Sequence, residues 1–200
     1  MILLDHQFIP QVRYEIEKLQ GFKYFIDLDM VNSFHQFKLG RKTSENLSVI
    51  TPWETVRPVF MPEGVSPATG VLQGHMKRIF KDFEEWAVVI FDNFCIGGHS
   101  HEDLFAKLKL FLARCKEYNI FLKMSKCYFG HSSVKFFGYE VDGQGWCIDD
   151  ERKSAIRAIP FPPGPTAKSK ITRMQSFLGF AQSLFPRFCR WLLNQGRFTV

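Results

Sequence analysis

The chain has 200 residues, 46% of them hydrophobic and 23% charged, with a formal charge of +6. That balance excludes a disordered chain and leaves room for one or two domains with a substantial core, and the thin basic excess mildly favours a polyanionic partner such as nucleic acid. Five cysteines, odd in number and never spaced Cys-x-x-Cys, exclude a disulfide scaffold and read as reduced thiols of an intracellular protein.

The 22 phenylalanines predict a core dominated by aromatic packing. The opening MILLDHQFIP is broken by Asp5 and His6, too early for a signal peptide, and no apolar run approaches membrane-spanning length. Pro10 opens a short helical stretch, Gln11 to Leu19, which Gly21 stops. Tyr24 to Met30 alternates apolar and polar residues like a strand, with Asp27 and Asp29 on one face. A small helical turn follows around Asn32 to Phe37, and then Val49 to Phe60 reads as a hairpin with an irregular turn at Thr51-Pro52.

Ser66-Pro67 predicts a helix start, with Val71, Leu72, Met76, Ile79, Phe80 and Phe83 as its apolar face. Residues 87–98, AVVIFDNFCIGG, read as a β-hairpin with Asp92-Asn93 at or near the tip. Asp and Asn are ordinary turn formers, so this stretch alone leaves a plain turn and a metal-holding carboxylate both open. His99-Ser-His101 has no paired thiols and reads as a loop rather than a zinc site. Ser100 to Asp103 resembles a capping box, and Leu104, Leu108, Phe111, Cys115 and Tyr118 keep helical spacing after it.

Short strands are predicted at Phe121–Lys123, Val134–Phe137 and Tyr139–Val141, with Gly130 and Gly143 as breakers. A helix over Asp149–Ile159 is ended by the proline-rich linker at 160–165, and Ile171 to Phe185 is again helical. The fold class is therefore α+β: a small antiparallel sheet backed by helices, then a helical segment.

An acidic strand and an acidic hairpin tip, separated by a helix, can be brought side by side in such a fold. Facing carboxylates repel, and a divalent cation relieves that repulsion. Hard oxygen ligands suit Mg²⁺ completed by water and phosphates, whereas a solvated acidic turn is the plain alternative.

Five segments in order carry a resemblance: LDMVNSFHQ (28–36), MPEG with Gln73 (61–73), VVIFDN (88–93), LKMSKCYFG (122–130) and FFGYEV (136–141). SFLGFAQ (176–182) resembles a further stretch in the helical connection. Together they resemble the palm of a reverse transcriptase of the gypsy-like LTR-retrotransposon group, over roughly residues 8–188. The resemblance implies a palm at 1–148 with only partial fingers, and a helical thumb or connection segment at 149–200. It also implies an RNA-directed DNA polymerase fragment of a retrotransposon polyprotein, working by two-metal nucleotidyl transfer with Mg²⁺, or Mn²⁺, as cofactor.

Carried onto this chain, the likeness makes Asp29 and Asp92 metal ligands, with Asn93 beside them and the backbone carbonyl of Met30 assisting. Phe34 matches the aromatic under the incoming sugar, although core packing also explains it. Glu63 and Gly64 match the nucleotide pocket, and Lys123 and Lys126 lie where the family keeps a lysine near the triphosphate. Solvated strand charges would explain those lysines equally well. Gln73 matches a glutamine near the template, or is explained by a surface helix. Phe136, Phe137, Gly138 and Tyr139 match the hairpin that grips the primer end.

Three departures stand out. Asn93 replaces the family's second hairpin Asp and offers a hard cation only a neutral oxygen. Glu63 replaces an aromatic, and Ile90 a Tyr. The implied partners are an RNA or DNA template with primer, deoxynucleoside triphosphates and further polyprotein domains (ribonuclease H, integrase, protease), with no membrane. The competing expectation is a catalytically impaired nucleic-acid-binding relic of the same fold.

Overall fold

The computed structural model describes residues 10–65, 67–158, 171 and 175. The chain divides into two compact units, Met1–Trp146 and Cys147–Val200.

In the first unit a short helix, Val12–Glu17 (α1), ends before Gly21, whose φ of +92° turns the chain into strand Tyr24–Asp29 (β1). Alternation along β1 sends Ile26 and Leu28 into the core, while Phe25, Asp27 and Asp29 take the opposite face. A 3-10 turn over Ser33–Gln36 follows, then Arg41–Asn46 (α2) and a small hairpin of Val49–Ile50 (β2) and Thr55–Val56 (β3).

Helix Ala68–Ile79 (α3) begins just past the expected Ser-Pro start; Ser66 itself lies outside the described residues. The helix ends at Ile79, and Lys81–Phe83 tightens into a 3-10 turn, so the apolar face is shared between two elements. The hairpin at 87–98 is Ala87–Ile90 (β4) and Asn93–Gly98 (β5), with Phe91-Asp92 as its two-residue tip. His101–Glu117 (α4) is capped as expected. Asp103 N–H donates to Ser100 Oγ at 3.2 Å, and His99 N–H donates back to the Asp103 carboxylate at 2.9 Å. His99 and His101 are used in packing, against the rings of Phe22 and Tyr24.

The expected strand at Phe121–Lys123 is a single bridge, Met30 to Leu122. The strand forms later, at Tyr128–His131 (β6), and includes Gly130, expected to break it. The register explains the difference. Phe25 pairs with His131 and Ile26 with Phe129, so Gly130 is the extra residue of a β-bulge and adopts φ +71°.

The four-stranded sheet has the order β4-β5-β1-β6 and is antiparallel throughout. Both long helices back one face, where Phe111 of α4 stacks on Phe80 at 4.5 Å and meets Phe94 edge-on at 5.2 Å. Strands Ser133–Phe136 (β7) and Tyr139–Asp142 (β8) form a second hairpin. A cavity of about 310 Å³ opens between Phe25 and Asp27 of β1, Tyr128 and His131 of β6, and Val134 and Lys135 of β7. The division between the two units falls within strand Gly145–Ile148 (β9), not foreseen in the sequence.

In the second unit Asp150–Ala158 (α5) is capped by Asp149, whose Oδ1 accepts from Arg152 N–H at 2.7 Å. The expected linker at 160–165 and the SFLGFAQ segment lie outside the described residues. The four cysteines among the described residues are free, in keeping with reduced thiols. No helix among them is long and apolar enough to cross a membrane.

Candidate active site

Three backbone segments converge at the end of β1. The β1–β5 ladder sets Asp27 opposite Cys95 and Asp29 opposite Asn93. Met30 N–H donates to the Asp92 carbonyl at 2.9 Å, tying the hairpin tip to the strand end. On the other side Lys123 N–H donates to the Asp29 carbonyl at 2.7 Å, and Val31 N–H to the Phe121 carbonyl at 3.0 Å. Asp29, Asp92, Asn93, Met30 and the 121–126 segment are thus brought together, as the sequence leads one to expect. Met30 is buried, so only its backbone is offered to the site.

The charges are arranged asymmetrically. The Asp29 side chain is 15% exposed, and the Lys126 ammonium lies 3.3 Å from its Oδ2. Asp92 Oδ1 accepts from the Asn93 amide at 3.0 Å, a bond that a second carboxylate there would not supply. Burial, then the neighbouring Asp29 carboxylate, push the Asp27 carboxyl up to about 6 against a hydrogen bond from the Leu28 backbone. Burial and the facing Asp27 also raise the Cys95 thiol, which makes it inert at neutral pH.

Two glutamines brace the site. Gln73, 2% exposed, accepts from Phe91 N–H at 2.7 Å and donates to the Val89 carbonyl at 3.0 Å. The alternative that a surface helix explains Gln73 is therefore corrected: its side chain is buried and bonded to the hairpin. Gln36 accepts from Phe121 N–H at 2.9 Å and donates to the Phe121 carbonyl at 3.0 Å and to the Val31 carbonyl. Sequence reasoning missed both roles. The available signal was a polar residue inside the apolar stripe Leu72–Met76 of α3, which must find partners when buried.

The remaining expected residues are dispersed. Phe34 is half-buried and packs against the core. Glu63 is exposed in a turn with Gly64 at φ +83°, and among the described residues it pairs with no cation. Lys123 reaches the site through its backbone and Lys126 through its ammonium. Of the hairpin matched to the primer end, the Phe136 and Tyr139 side chains are buried, at 2% and 5% exposure. The hairpin tip has Phe137 at φ +49° and Gly138 at φ +76°, and Ser133 and Lys135 of β7 are exposed.

Two carboxylates beside a neutral amide oxygen form a hard-oxygen donor set that leaves positions for water and phosphate, which suits Mg²⁺. Among the described residues no group of three or more His, Cys, Asp or Glu side chains could hold an ion.

Comparison with known proteins follows the same line. The model of the family "Reverse transcriptase (RNA-dependent DNA polymerase)" matches residues 2–141. The retrovirus-related Pol polyprotein from transposon 412 of Drosophila melanogaster is 28% identical over 162 residues, covering 80% of this chain and 13% of that protein. The transposon Tf2-7 polyprotein of Schizosaccharomyces pombe is 27% identical over 139 residues, 69% of this chain and 10% of that one. The chain thus spans only about a tenth of the length of these curated relatives. Among solved structures, foamy viral protease-reverse transcriptase in complex with RNA/DNA hybrid has a TM-score of 0.74 at 14% identity, covering 91% of this chain and 24% of that one. Its complex with double-stranded DNA has a TM-score of 0.73 at 16% identity, covering 90% and 36%. The matched family model runs through β1, the β4–β5 hairpin and the 121–131 segment that assemble the site, and the chain belongs to the reverse transcriptase family.

Proposed function

We propose that this chain is the palm of a gypsy-like retrotransposon polymerase, with residues 149–200 as thumb or connection. It would extend a primer 3′-hydroxyl with deoxynucleoside triphosphates on an RNA or DNA template. The observation that carries the reading is the pairing of Asp29 with the hairpin tip: the ladder puts Asn93 opposite Asp29, with Asp92 adjacent. The solved relative's RNA/DNA hybrid supplies the analogy for the template-primer.

Asp29 and Asp92 are the residues that would hold Mg²⁺, or Mn²⁺, with the Met30 backbone and the Asn93 amide oxygen beside them. Bound there, the cation supplies charge neutralisation on the phosphate oxygens in an in-line displacement. Asn93 keeps the Asp92 carboxylate oriented without adding charge. Lys126, which is 56% exposed and already reaches Asp29, is the cation best placed to meet an incoming triphosphate. The reaction joins the primer oxygen to the α-phosphorus and releases pyrophosphate.

Primer extension on an RNA template tests this, with the 200-residue chain alone and exchanged for the matching stretch of the transposon 412 polyprotein. Extension that disappears in Asp29→Asn supports the polymerase. Salt-dependent template-primer binding with no extension in any form sinks it in favour of a binding relic.

A further inference from the structure

The tip of the β4–β5 hairpin is held in a conformation its sequence does not favour. Phe91 adopts φ +56°, a left-handed backbone that costs a bulky residue on the order of 1–2 kcal/mol, and no glycine is present to relieve it. Asp92 is the next residue, so the backbone at Phe91 decides where that carboxylate stands.

β4 is an edge strand, and Val89 C=O and Phe91 N–H have no neighbouring strand to pair with. Gln73 supplies the partner. Its amide donates to one and accepts from the other, which is what the backbone of an adjacent strand would do. The backbone groups also dictate the amide's orientation, because an N–H can only donate and a carbonyl only accept. At 2% exposure the side chain is shielded from bulk solvent, so both bonds are worth more than at the surface.

We propose that Gln73 is a positioning residue: it acts as a one-residue strand at the open edge of β4, locks Phe91 in its left-handed conformation and so aims Asp92 at the cation. This rests on the reading of Asp29 and Asp92 as the cation site, and the test separates the two. Glu15, Lys18, Lys77 and Glu84 line a small cavity together with Gln73.

The test uses the full chain as wild type, Gln73→Met, Gln73→Glu and Asp29→Asn. Amide hydrogen exchange is followed at Phe91 and, as internal references, at Val88 and Ile96 in the same ladder. Mn²⁺ affinity is measured alongside by electron paramagnetic resonance. In Gln73→Met, Phe91 exchange should rise about tenfold or more relative to Val88 and Ile96, with Mn²⁺ binding weakened roughly tenfold. A uniform rise at all three amides would mean that Gln73 merely stabilises the core, and would overturn the proposal, as would no change at Phe91. In Gln73→Glu the clamp needs a protonated carboxyl to donate to Val89. Phe91 exchange, taken as a ratio to wild type at each pH, should approach one as pH falls and depart from it as pH rises, and a pH-independent ratio counts against the clamp. Should the wild type bind Mn²⁺ no better than Asp29→Asn, the cation site fails, and exchange at Phe91 alone still decides whether the clamp exists.

Discussion

Asp29 stands directly across the ladder from Asn93, not from Asp92, and Asn93 in turn donates its amide hydrogen to the Asp92 carboxylate. One neutral residue therefore sits between two acids and satisfies one of them. The site is built as a pair of carboxylates with a spacer.

That spacer makes Asn93→Asp a two-sided substitution. Without metal it replaces a donor by a third negative charge, and the chain should lose about 1–2 kcal/mol of stability. With Mg²⁺ the added hard ligand should tighten binding, and tighter binding to the folded state raises the melting temperature. Melting in EDTA and in Mg²⁺ checks this: the variant should fall below wild type in the first and gain more than wild type in the second. Equal metal-induced shifts would show that position 93 lies outside the coordination sphere.

Asp29→Asn removes a hard ligand and the partner of Lys126 together. Mn²⁺ affinity should fall at least about tenfold and any extension activity by roughly a hundredfold or more, with the fold retained. Lys126→Ala should instead spare Mn²⁺ binding and weaken nucleotide binding. Titration of each variant with metal and with nucleotide distinguishes these outcomes.

Asp27 lines the cavity between β1, β6 and β7, and its raised carboxyl links stability to pH. A carboxyl at about 6 in the fold and near 3.8 unfolded favours folding fully below about 3.8, and that contribution is lost as pH rises through about 6. Asp27→Asn keeps the neutral shape at every pH. It should match wild type near pH 4 and exceed it by roughly 1–3 kcal/mol above pH 7, read from urea midpoints. A constant difference across that range would remove the burial argument.

Gly98 is fixed by α4 rather than by a turn. A Cβ there would stand 2.7 Å from Leu104 Cβ and 2.9 Å from Leu104 Cα, so the helix backbone itself would have to move. Gly98→Ala should cost about 1–3 kcal/mol, seen as a lowered denaturation midpoint.

Much of this was legible in the chain. The alternation of Tyr24–Met30, the apolar-polar-apolar run at 87–98 and the capping box at Ser100 are local patterns, and local patterns fix strands, turns and caps by short-range sterics and hydrogen bonding. The order of the motifs also identified the family before any contact was known. What the sequence could not show was which polar groups spend themselves on one another. Gln73 reads as a surface residue until α3 is laid on the hairpin, because its partners at Val89 and Phe91 lie 16 and 18 residues away. The burial of Phe136 and Tyr139 comes from packing alone, and Gly130 reads as a breaker until β1 supplies the register that makes it a bulge. The distinction is physical. Periodicity belongs to the chain, but the satisfaction of a buried donor or acceptor, the register of two strands and the field at a carboxylate depend on what tertiary packing brings within about 3 Å.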